Sequence, residues 1–476
     1  MNSKLNLEAI KQRKGNITST EEEKILAEKV GRVLMIFPTP VRRQTMLNTL
    51  PPLGILSIAS VLEAKGIPTD VVDCHVTREM PDFKDYGVIC FSVNIANVQN
   101  TAQYIKEIRA EGLKPKIIIG GPQSPSRAEY WIKEYHVDGV FIGEAENSIY
   151  EYLLSENPTS VKGVVIEKDG KPFYTGPRPV IMNIDDLPFP ALDKVPIRNY
   201  NTPIKKAYPV SSIITSRGCP GQCTFCNSRG GIWRQRSAAN VVDEIEWQVN
   251  KLGVRELWIA DDNFTLNRQR AWDIAEDIIK RGIKVKMQCK NGIRVDKVDK
   301  ELLLKLKEAG MWLVAVAPET GKQETLDRIC KGFTLERVRE VVKWCKEIKM
   351  QTFSLFIIGL PWETLDDIGQ TIKFAMELDT DFVQYSRYTP IEGTPLYEEV
   401  KSGGMLLENE YQDVGIHSGT LNYVPKLIDR EEMRKVFKQA FRRFYLRPSK
   451  IINILKTLTP KDIYYNVKYS IEAGSM

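Results

Sequence analysis

Three of the chain's eight cysteines fall within eight residues, Cys219, Cys223 and Cys226 in TSRGCPGQCTFCNSRGG. Thiolates gathered this closely suit both zinc and iron-sulfur clusters, soft centres that favour sulfur. Gly218, Pro220 and Gly221 favour the tight, irregular loop in which three sulfurs can converge. A structural zinc site takes four protein ligands. No fourth cysteine or histidine stands nearby at a suitable spacing, and His75, His136 and His417 are far away in the chain. Three cysteines on a four-iron cluster leave one iron without a protein ligand, the open position through which a metal centre engages substrate. Cys74, Cys90, Cys289, Cys330 and Cys345 lie scattered in apolar or helical contexts, a pattern of core residues in a reducing compartment rather than a disulfide framework.

The elements that must position this loop come in two series. From Arg32, the runs RVLMIF, PTDVVD, GVICFSV, KIIIGGP and GVFIGE alternate with helical stretches, which predicts a doubly wound parallel sheet. Ligands of such sheets sit at the carboxyl ends of the strands, where the loops here begin at Pro38, Ser92, Gly120 and Gly143. GVVIEKDGKPFYTG then reads as a hairpin about Asp169-Gly170, and LPFPALDKVP as a linker. A second series, SSIITS, ELWIADD, KVKMQC, WLVAVAPE, TFSLFIIGLP and FVQYSRYTP, supplies six strands with amphipathic helices between them, a partial (β/α)6 barrel of the TIM type with its active groups at the strands' carboxyl ends. The cysteine loop directly follows the first of these strands. The expected organisation is a polar helical extension over 1–30, a Rossmann-like domain with hairpin and linker over 31–190, the partial barrel over 191–410 and a helical, basic C-terminal domain over 411–476.

Bulk properties set the class. The 476 residues exceed one ordinary core, and 42% hydrophobic with 27% charged residues is a globular composition. The net charge of +6 is a small excess over 67 basic and 61 acidic residues, so it does not point to nucleic acid. The segment MNSKLNLEAIKQRKG lacks a secretory apolar core and no run is long enough to span a bilayer, so a cytoplasmic protein without a transmembrane segment is expected. The cations near the C-terminus are read as a solvated helix face before a membrane or acidic partner.

The cysteine loop, with the aromatic Phe225 just before its last cysteine, resembles the signature of the radical S-adenosylmethionine (SAM) family. The resemblance implies a 4Fe-4S cluster on Cys219, Cys223 and Cys226, with the open iron binding SAM and one-electron reduction cleaving it to methionine and a 5'-deoxyadenosyl radical. It further implies SAM contacts from Phe225, from Asp261 and Asp262 in ADDNFTLN near the methionine end, and from Arg294 after the third strand. Glu319 in APETG resembles the acidic residue at the ribose, and Gly359 in IIGLPWET the small residue beneath the adenine. TPIEGTPLYEE is similar to the family's closing segment. Singly, each of these is ordinary turn chemistry; in this order along residues 205 to 410 they reinforce one another.

The segment before the barrel is similar to the cobalamin-binding domain of one large subgroup, through LPPLGILSIASVLEAKG, FSVNIANV, IIIGGPQSP and FIGEAE. The implied cobalamin contacts are Pro38, Ser92, Val93, Asn94, Gly120, Gly121, Pro122, Gly143 and Glu144. A flat corrin needs close backbone approach, which glycine allows, although a sheet of this kind hosts many nucleotide-type functions. The first-strand loop FPTPVRRQTMLNTLPP has no histidine for a D-x-H-x-x-G motif; Asp73-Cys74-His75 copies its first half only, after the second strand and with Arg78 where glycine belongs. His75 is therefore read as an ordinary polar residue and cobalt as lacking a histidine lower ligand. The resemblance implies a methyltransferase acting on an unactivated carbon, less often phosphorus, in which one SAM methylates cobalamin, a second yields the radical, and the substrate radical takes the methyl group from methylcobalamin. An oxidase, cyclase or ring-rearranging outcome, as in the anaerobic Mg-protoporphyrin ester cyclases, shares the architecture. A methylthiotransferase would place three further cluster cysteines in the first domain, which has only Cys74 and Cys90. A non-catalytic zinc or nucleotide-binding scaffold would leave the ordered strand-end residues without a role. Expected partners are a small-molecule, lipid or peptide substrate and an electron donor such as flavodoxin or ferredoxin, with no nucleic acid and a monomeric chain; no catalytic residue beyond the cofactor ligands is assigned.

Overall fold

The computed structural model describes residues 13, 28–39, 49–77, 80–94, 96–122, 124–406, 423–457, 460 and 463–464. They belong to two compact units, Met1–Asn201 and Thr202–Met476. Most of the helical extension expected over 1–30, residues 40–48 of the first-strand loop, Arg78 and His417 lie outside the described residues.

In the first unit, β1 (Val33–Phe37), β2 (Thr69–Asp73), β3 (Val88–Ser92), β4 (Lys116–Gly120) and β5 (Gly139–Phe141) are parallel, and β6 (Val164–Lys168) and β7 (Lys171–Tyr174) extend the sheet antiparallel. The spatial order β2-β1-β3-β4-β5-β6-β7 reverses direction between β1 and β3, the switch point at which open α/β sheets bind ligands. The strands are apolar on both faces because helices cover both. α1 (Leu53–Ala64) packs beside α4 (Glu146–Leu154), and α2 (Val98–Ala110) beside α3 (Ser124–Tyr135). Leu34, Ile36, Ile89, Phe91, Ile117 and Ile119 form the core under α2 and α3 with Ile105, Ile108 and Trp131. The hairpin forms as expected, with Asp169 and Gly170 both at positive φ, 52° and 72°, the conformation a two-residue turn needs.

The boundary expected at 190/191 falls at 201/202, because the linker is tied to this unit throughout. Ala191 N–H donates to the Leu56 carbonyl at 3.0 Å, Tyr200 hydroxyl to Asp73 Oδ2 at 3.0 Å, and Asn201 N–H to the Thr49 carbonyl at 3.0 Å. Arg13 is buried among the same elements, paired with Asp193 and with Glu63 at 2.6 Å each.

The second unit carries β8 (Val210–Ile213), β9 (Ser216–Arg217), β10 (Arg234–Gln235), β11 (Glu256–Ile259), β12 (Lys286–Cys289), β13 (Met311–Glu319), β14 (Gln351–Ile358) and β15 (Phe382–Arg387). Six of these make one parallel sheet ordered β15-β14-β13-β12-β11-β8, the expected (β/α)6 series, while β9 and β10 pair with each other antiparallel. The connections are α5 (Ala238–Lys251), α6 (Arg268–Lys280), α7 (Lys300–Glu308), α8 (Gln323–Arg328), α9 (Leu335–Glu347) and α10 (Leu365–Leu378). α9 shows why they lie on the sheet: Val338, Val341, Val342 and Cys345 recur at helical spacing and are all buried. Side-chain caps fix where several helices begin, with Ser237, Asn267, Asp299, Thr334 and Thr364 each accepting from a first-turn N–H. α11 (Pro395–Ser402), α12 (Arg430–Tyr445) and α13 (Pro448–Thr457) follow β15. The basic C-terminal segment is thus helical but groups with the barrel strands in one unit.

The loops at the β1/β3 switch are joined by Asn97, a residue the sequence does not single out. Its Nδ2 donates to the carbonyls of Pro38 at 3.2 Å and Ser92 at 3.1 Å, and its Oδ1 accepts from Asn94 N–H at 2.8 Å. The side chain is 0% exposed, so losing it leaves two carbonyls and an N–H without partners. Asn97→Ala is expected to destabilise the first unit by on the order of 3 kcal/mol, read from hydrogen exchange of the β1 and β3 amides in urea. Unchanged protection would show that the amide is dispensable.

Candidate functional site

The cysteine loop has no regular structure of its own, so it is held by its ends. Its two flanks pair as β9 and β10, Ser216 opposite Gln235 and Arg217 opposite Arg234. Below them lies Asp261, 1% exposed. One carboxylate oxygen accepts from Thr215 N–H at 2.5 Å, and the other from Thr215 Oγ1 at 2.5 Å and Ser216 Oγ at 2.6 Å. Burial raises this carboxyl's pKa against the pull of those donors. Arg270 completes the clamp, donating to the Thr215 carbonyl and, at 2.7 Å, to that of Arg236. Both oxygens of Asp261, expected as a SAM contact, are engaged in holding the loop's first flank.

Within the loop, Cys226 N–H donates to the Cys223 carbonyl at 3.2 Å and Gly230 N–H to that of Gly221 at 2.8 Å. A Cβ on Gly218, at φ +80°, would strike the Ile232 carbonyl, so glycine is required there, while one on Gly221 would sit a tight 3.2 Å from Cys219 Sγ. Thr224 ties the loop to its surroundings: its N–H donates to the Ile329 carbonyl at 3.1 Å, and its carbonyl accepts from Leu396 N–H at 3.0 Å. The second contact brings the closing segment TPIEGTPLYEE to the cysteines.

Burial pushes the Cys223 and Cys226 thiols up; nearby Lys331 opposes this at Cys223, and at Cys226 the Ser228 N–H opposes it first. Lys331 is a functional candidate that motif reading misses. Its Nζ meets Glu319 Oε1 at 2.5 Å and lies 5.6 Å from the Phe225 ring centre. Glu319, the expected ribose contact, stands at the end of β13 with φ +64°, an uncommon conformation outside glycine, and its carboxylate is engaged with this lysine. Arg294 has its guanidinium on both oxygens of Asp296, at 2.8 and 3.0 Å, and on the Lys331 carbonyl at 3.3 Å; it orders the lysine's loop. Asp262, expected like Asp261 to contact SAM, is exposed beside Cys226. Asn263, also absent from the sequence reading, places Nδ2 4.0 Å from Cys219 Sγ. Its Oδ1 is buried without a partner.

These features fit a cluster: soft donors, a glycine packed against one sulfur and an amide N–H directed at that sulfur. Among the described residues no three His, Cys, Asp or Glu side chains converge as single-ion ligands do, whereas a multi-iron cluster spreads its thiolates more widely. Gly359, at the end of β14 with φ +86°, is covered: a Cβ there would stand 2.7 Å from Met433 Cε of α12. The turn after it is held by Glu363, 0% exposed, which accepts from the N–H groups of Gly359 and Leu360 at 2.8 and 2.9 Å. Burial pushes the Glu363 carboxyl up to about 7. By strand alternation Trp258, Leu355, Ile357, Gln384 and Ser386 share the sheet face opposite the helices. Lys290, just past β12, rests its Nζ 4.6 Å from the Trp258 ring centre, and burial pushes it down to about 7.

In the first unit the expected cobalamin residues do gather at the carboxyl ends of β1, β3, β4 and β5. A Cβ at Gly120 or Gly143 would meet nothing within 4 Å, so these two leave open room for a flat ligand. Gly121 serves packing instead, since a Cβ there would lie 2.5 Å from the Val93 carbonyl oxygen. Val93 itself is 0% exposed and belongs to the core, and Pro38 is buried, so from these two only backbone faces the loops. Asn94 Oδ1 accepts from Ala96 N–H at 2.9 Å, and Glu144 Oε2 from Ile181 N–H at 2.8 Å. Ser92 is half-buried and Pro122 exposed. His75 stacks on Phe37 at 5.1 Å, with Nδ1 2.9 Å from Asp73 Oδ1.

Residues 213–375 match the family model of the radical SAM superfamily, and residues 41–153 that of the B12 binding domain. An uncharacterized methyltransferase of Pyrococcus horikoshii is 29% identical over 445 residues, 89% of this chain and 94% of its own. The anaerobic magnesium-protoporphyrin IX monomethyl ester cyclase of Cereibacter sphaeroides is 29% identical over 386 residues, 78% of this chain but 61% of its own length. The fold is that of a radical SAM methyltransferase of Kitasatospora setae solved with cobalamin and an iron-sulfur cluster, at TM-score 0.67 and 17% identity over 90% of this chain and 89% of that one.

Two outcomes follow from the geometry. Asp261→Ala, by freeing the loop's first flank, is expected to lose most iron and acid-labile sulfide after anaerobic reconstitution, whereas Asp262→Asn keeps both; equal retention in the two variants would remove the anchoring role. Glu363 takes up a proton in the folded state at a pH where the unfolded chain has released it. Its contribution is complete below about pH 4 and lost as pH rises through about 7. Glu363→Gln should therefore melt higher than the parent near pH 8, with the gap closing toward pH 5; a pH-independent gap would contradict this.

Proposed function

Because this chain is a radical SAM protein with a B12 binding domain, we propose that it is a cobalamin-dependent methyltransferase acting on an unactivated carbon, or less often a phosphorus, centre. The observation that carries the reading is the three-cysteine loop at the head of a six-stranded parallel series, in a chain whose other unit has open glycines at the ends of β4 and β5, on one side of a topological switch. When bound, the cluster with SAM supplies one-electron cleavage to a carbon radical, and cobalamin supplies a methyl carrier.

The protein's own residues bind and orient. Cys219, Cys223 and Cys226 would hold the cluster, and the Asp261 clamp would keep their loop in one geometry. The Asn263 amide would meet the Cys219 sulfur, a contact of the kind that tunes a cluster's potential. Asp262 and Glu319 would meet polar parts of SAM; the Glu319 carboxylate must first be shared with or released by Lys331. Phe225 would pack against it, and Arg294 would keep Lys331 in place. Trp258, Leu355 and Ile357 give the inner sheet face an apolar wall that limits water near a reactive centre. In the first unit Gly120 and Gly143 would receive the corrin, bordered by Ser92, Asn94, Pro122 and Glu144 and by backbone of Pro38, Val93 and Gly121. His75 is engaged with Asp73 through Nδ1 and is given no role on cobalt. We place the protein in the cytoplasm, with flavodoxin or ferredoxin supplying the electron that cleavage of SAM requires.

A second reading, oxidation or cyclisation without net methyl transfer, is favoured by the similarity to the cyclase of Cereibacter sphaeroides. Product analysis separates the two. Anaerobic turnover with labelled methionine-derived SAM is expected to yield a methylated product with 5'-deoxyadenosine and S-adenosylhomocysteine in equal amounts. Formation of 5'-deoxyadenosine with no S-adenosylhomocysteine would reject methylation in favour of the second reading.

A further inference from the structure

An ordinary surface helix turns its apolar side inward; α13 does the reverse. Lys450 is buried, and Asn453 and Thr457 are half-buried along with Ile454. Lys450 Nζ donates to the Thr380 carbonyl at 2.6 Å and pairs with Asp379 at 2.8 Å. Asn453 Nδ2 donates to the Asp381 carbonyl at 3.2 Å, and its Oδ1 accepts from Gln351 at 3.1 Å. These bonds to the starts of β14 and β15 fix the helix's rotation. Ile451, Ile452 and Leu455 then fall within one arc of about 100°, at 3.6 residues per turn, and are 42%, 52% and 63% exposed, with Leu446 just before the helix at 69%. Single exposed apolar residues are ordinary, but a contiguous set of large aliphatics marks a surface that something covers.

The charge around this ridge says what. From Met433 to Thr457 there are eight Lys or Arg and no Asp or Glu. Lys450 and Arg447 pair with Asp379, and Arg434 with Glu431. Lys438, Arg442, Arg443 and Lys456 have no carboxylate partner among the described residues. A second copy of the chain would bring these cations against their own kind. A protruding aliphatic ridge offers no groove for a peptide. No helix of the described residues can cross a membrane, but aliphatics on one side of a helix amid cations are the pattern that lies in a lipid headgroup region. We propose that the outward face of α13, with the unpaired cations of the α12–α13 segment, docks on an anionic bilayer surface. The proposal stands apart from the reaction assigned above.

The test is flotation of the full chain with vesicles of phosphatidylglycerol and phosphatidylcholine, against phosphatidylcholine alone. The chain is expected to float only with the anionic vesicles and to be released by salt. Arg442→Gln with Arg443→Gln should lower the bound fraction's partition coefficient on the order of tenfold. Ile452→Asp with Leu455→Asp should abolish flotation while the circular dichroism spectrum stays that of the parent, since both side chains are over half exposed. Three results would overturn the proposal: no flotation with either vesicle, flotation indifferent to both pairs of substitutions, or a concentration-dependent dimer that Ile452→Asp with Leu455→Asp dissolves.

Discussion

The second unit depends on one buried carboxylate. Asp261 sits where an uncompensated charge would cost several kcal/mol, and three donors from Thr215 and Ser216 offset that cost at the residues where β8 gives way to the cysteine loop. A loop with three thiols and four flanking glycines cannot fold on its own terms. Its geometry is inherited from the two flanks, β9 and β10, and those flanks are set by Asp261 below and by Arg270 alongside. The Arg236–Glu244 ion pair, nearly without exposure, ties the same flank to α5.

A second charged arrangement works from the opposite side. Lys331 stands between Glu319 and the thiols, close enough to Cys223 and Cys226 for its charge to favour their thiolate forms against burial. Arg294 holds the lysine's carbonyl and Ile329 holds Thr224, so the loop after α8 is tied to the cysteine loop. Opposite charges paired in a half-dry site make stringent demands on geometry, and the positive φ of Glu319 marks where the backbone meets them.

The first unit uses a neutral group for the same purpose. At the β1/β3 switch, the Asn97 amide satisfies two carbonyls and an N–H that no strand could reach. Both units therefore prepare their strand-end loops by burying one short polar side chain among backbone groups, leaving outward-facing positions such as Gly120, Gly143 and Asp262 open for ligand. The reversed α13 follows the same rule with a different result, since satisfying Lys450 and Asn453 inside leaves Ile451, Ile452 and Leu455 outside.

The alternation of apolar runs with amphipathic stretches made both sheets legible, because strand and helix periods are local properties, and the Asp169-Gly170 turn was legible because two successive residues there must take positive φ. The cysteines were legible by spacing and type alone. By contrast, Asp261 and Asp262 are chemically identical neighbours in the sequence, and only the tertiary structure turns one into the floor of the loop and leaves the other at its mouth. Lys331, Asn263 and Asn97 carry no motif, since their partners lie on other elements and a pattern along the chain cannot register them. Gly120 and Gly121 look alike as well, yet a Cβ would be tolerated at the first and would strike Val93 at the second. The sequence by itself determined which elements form and which atoms can do chemistry. The tertiary structure decided which of those atoms are already engaged, because hydrogen bonds to distant backbone, not residue type, settle whether a polar group is still available to a ligand.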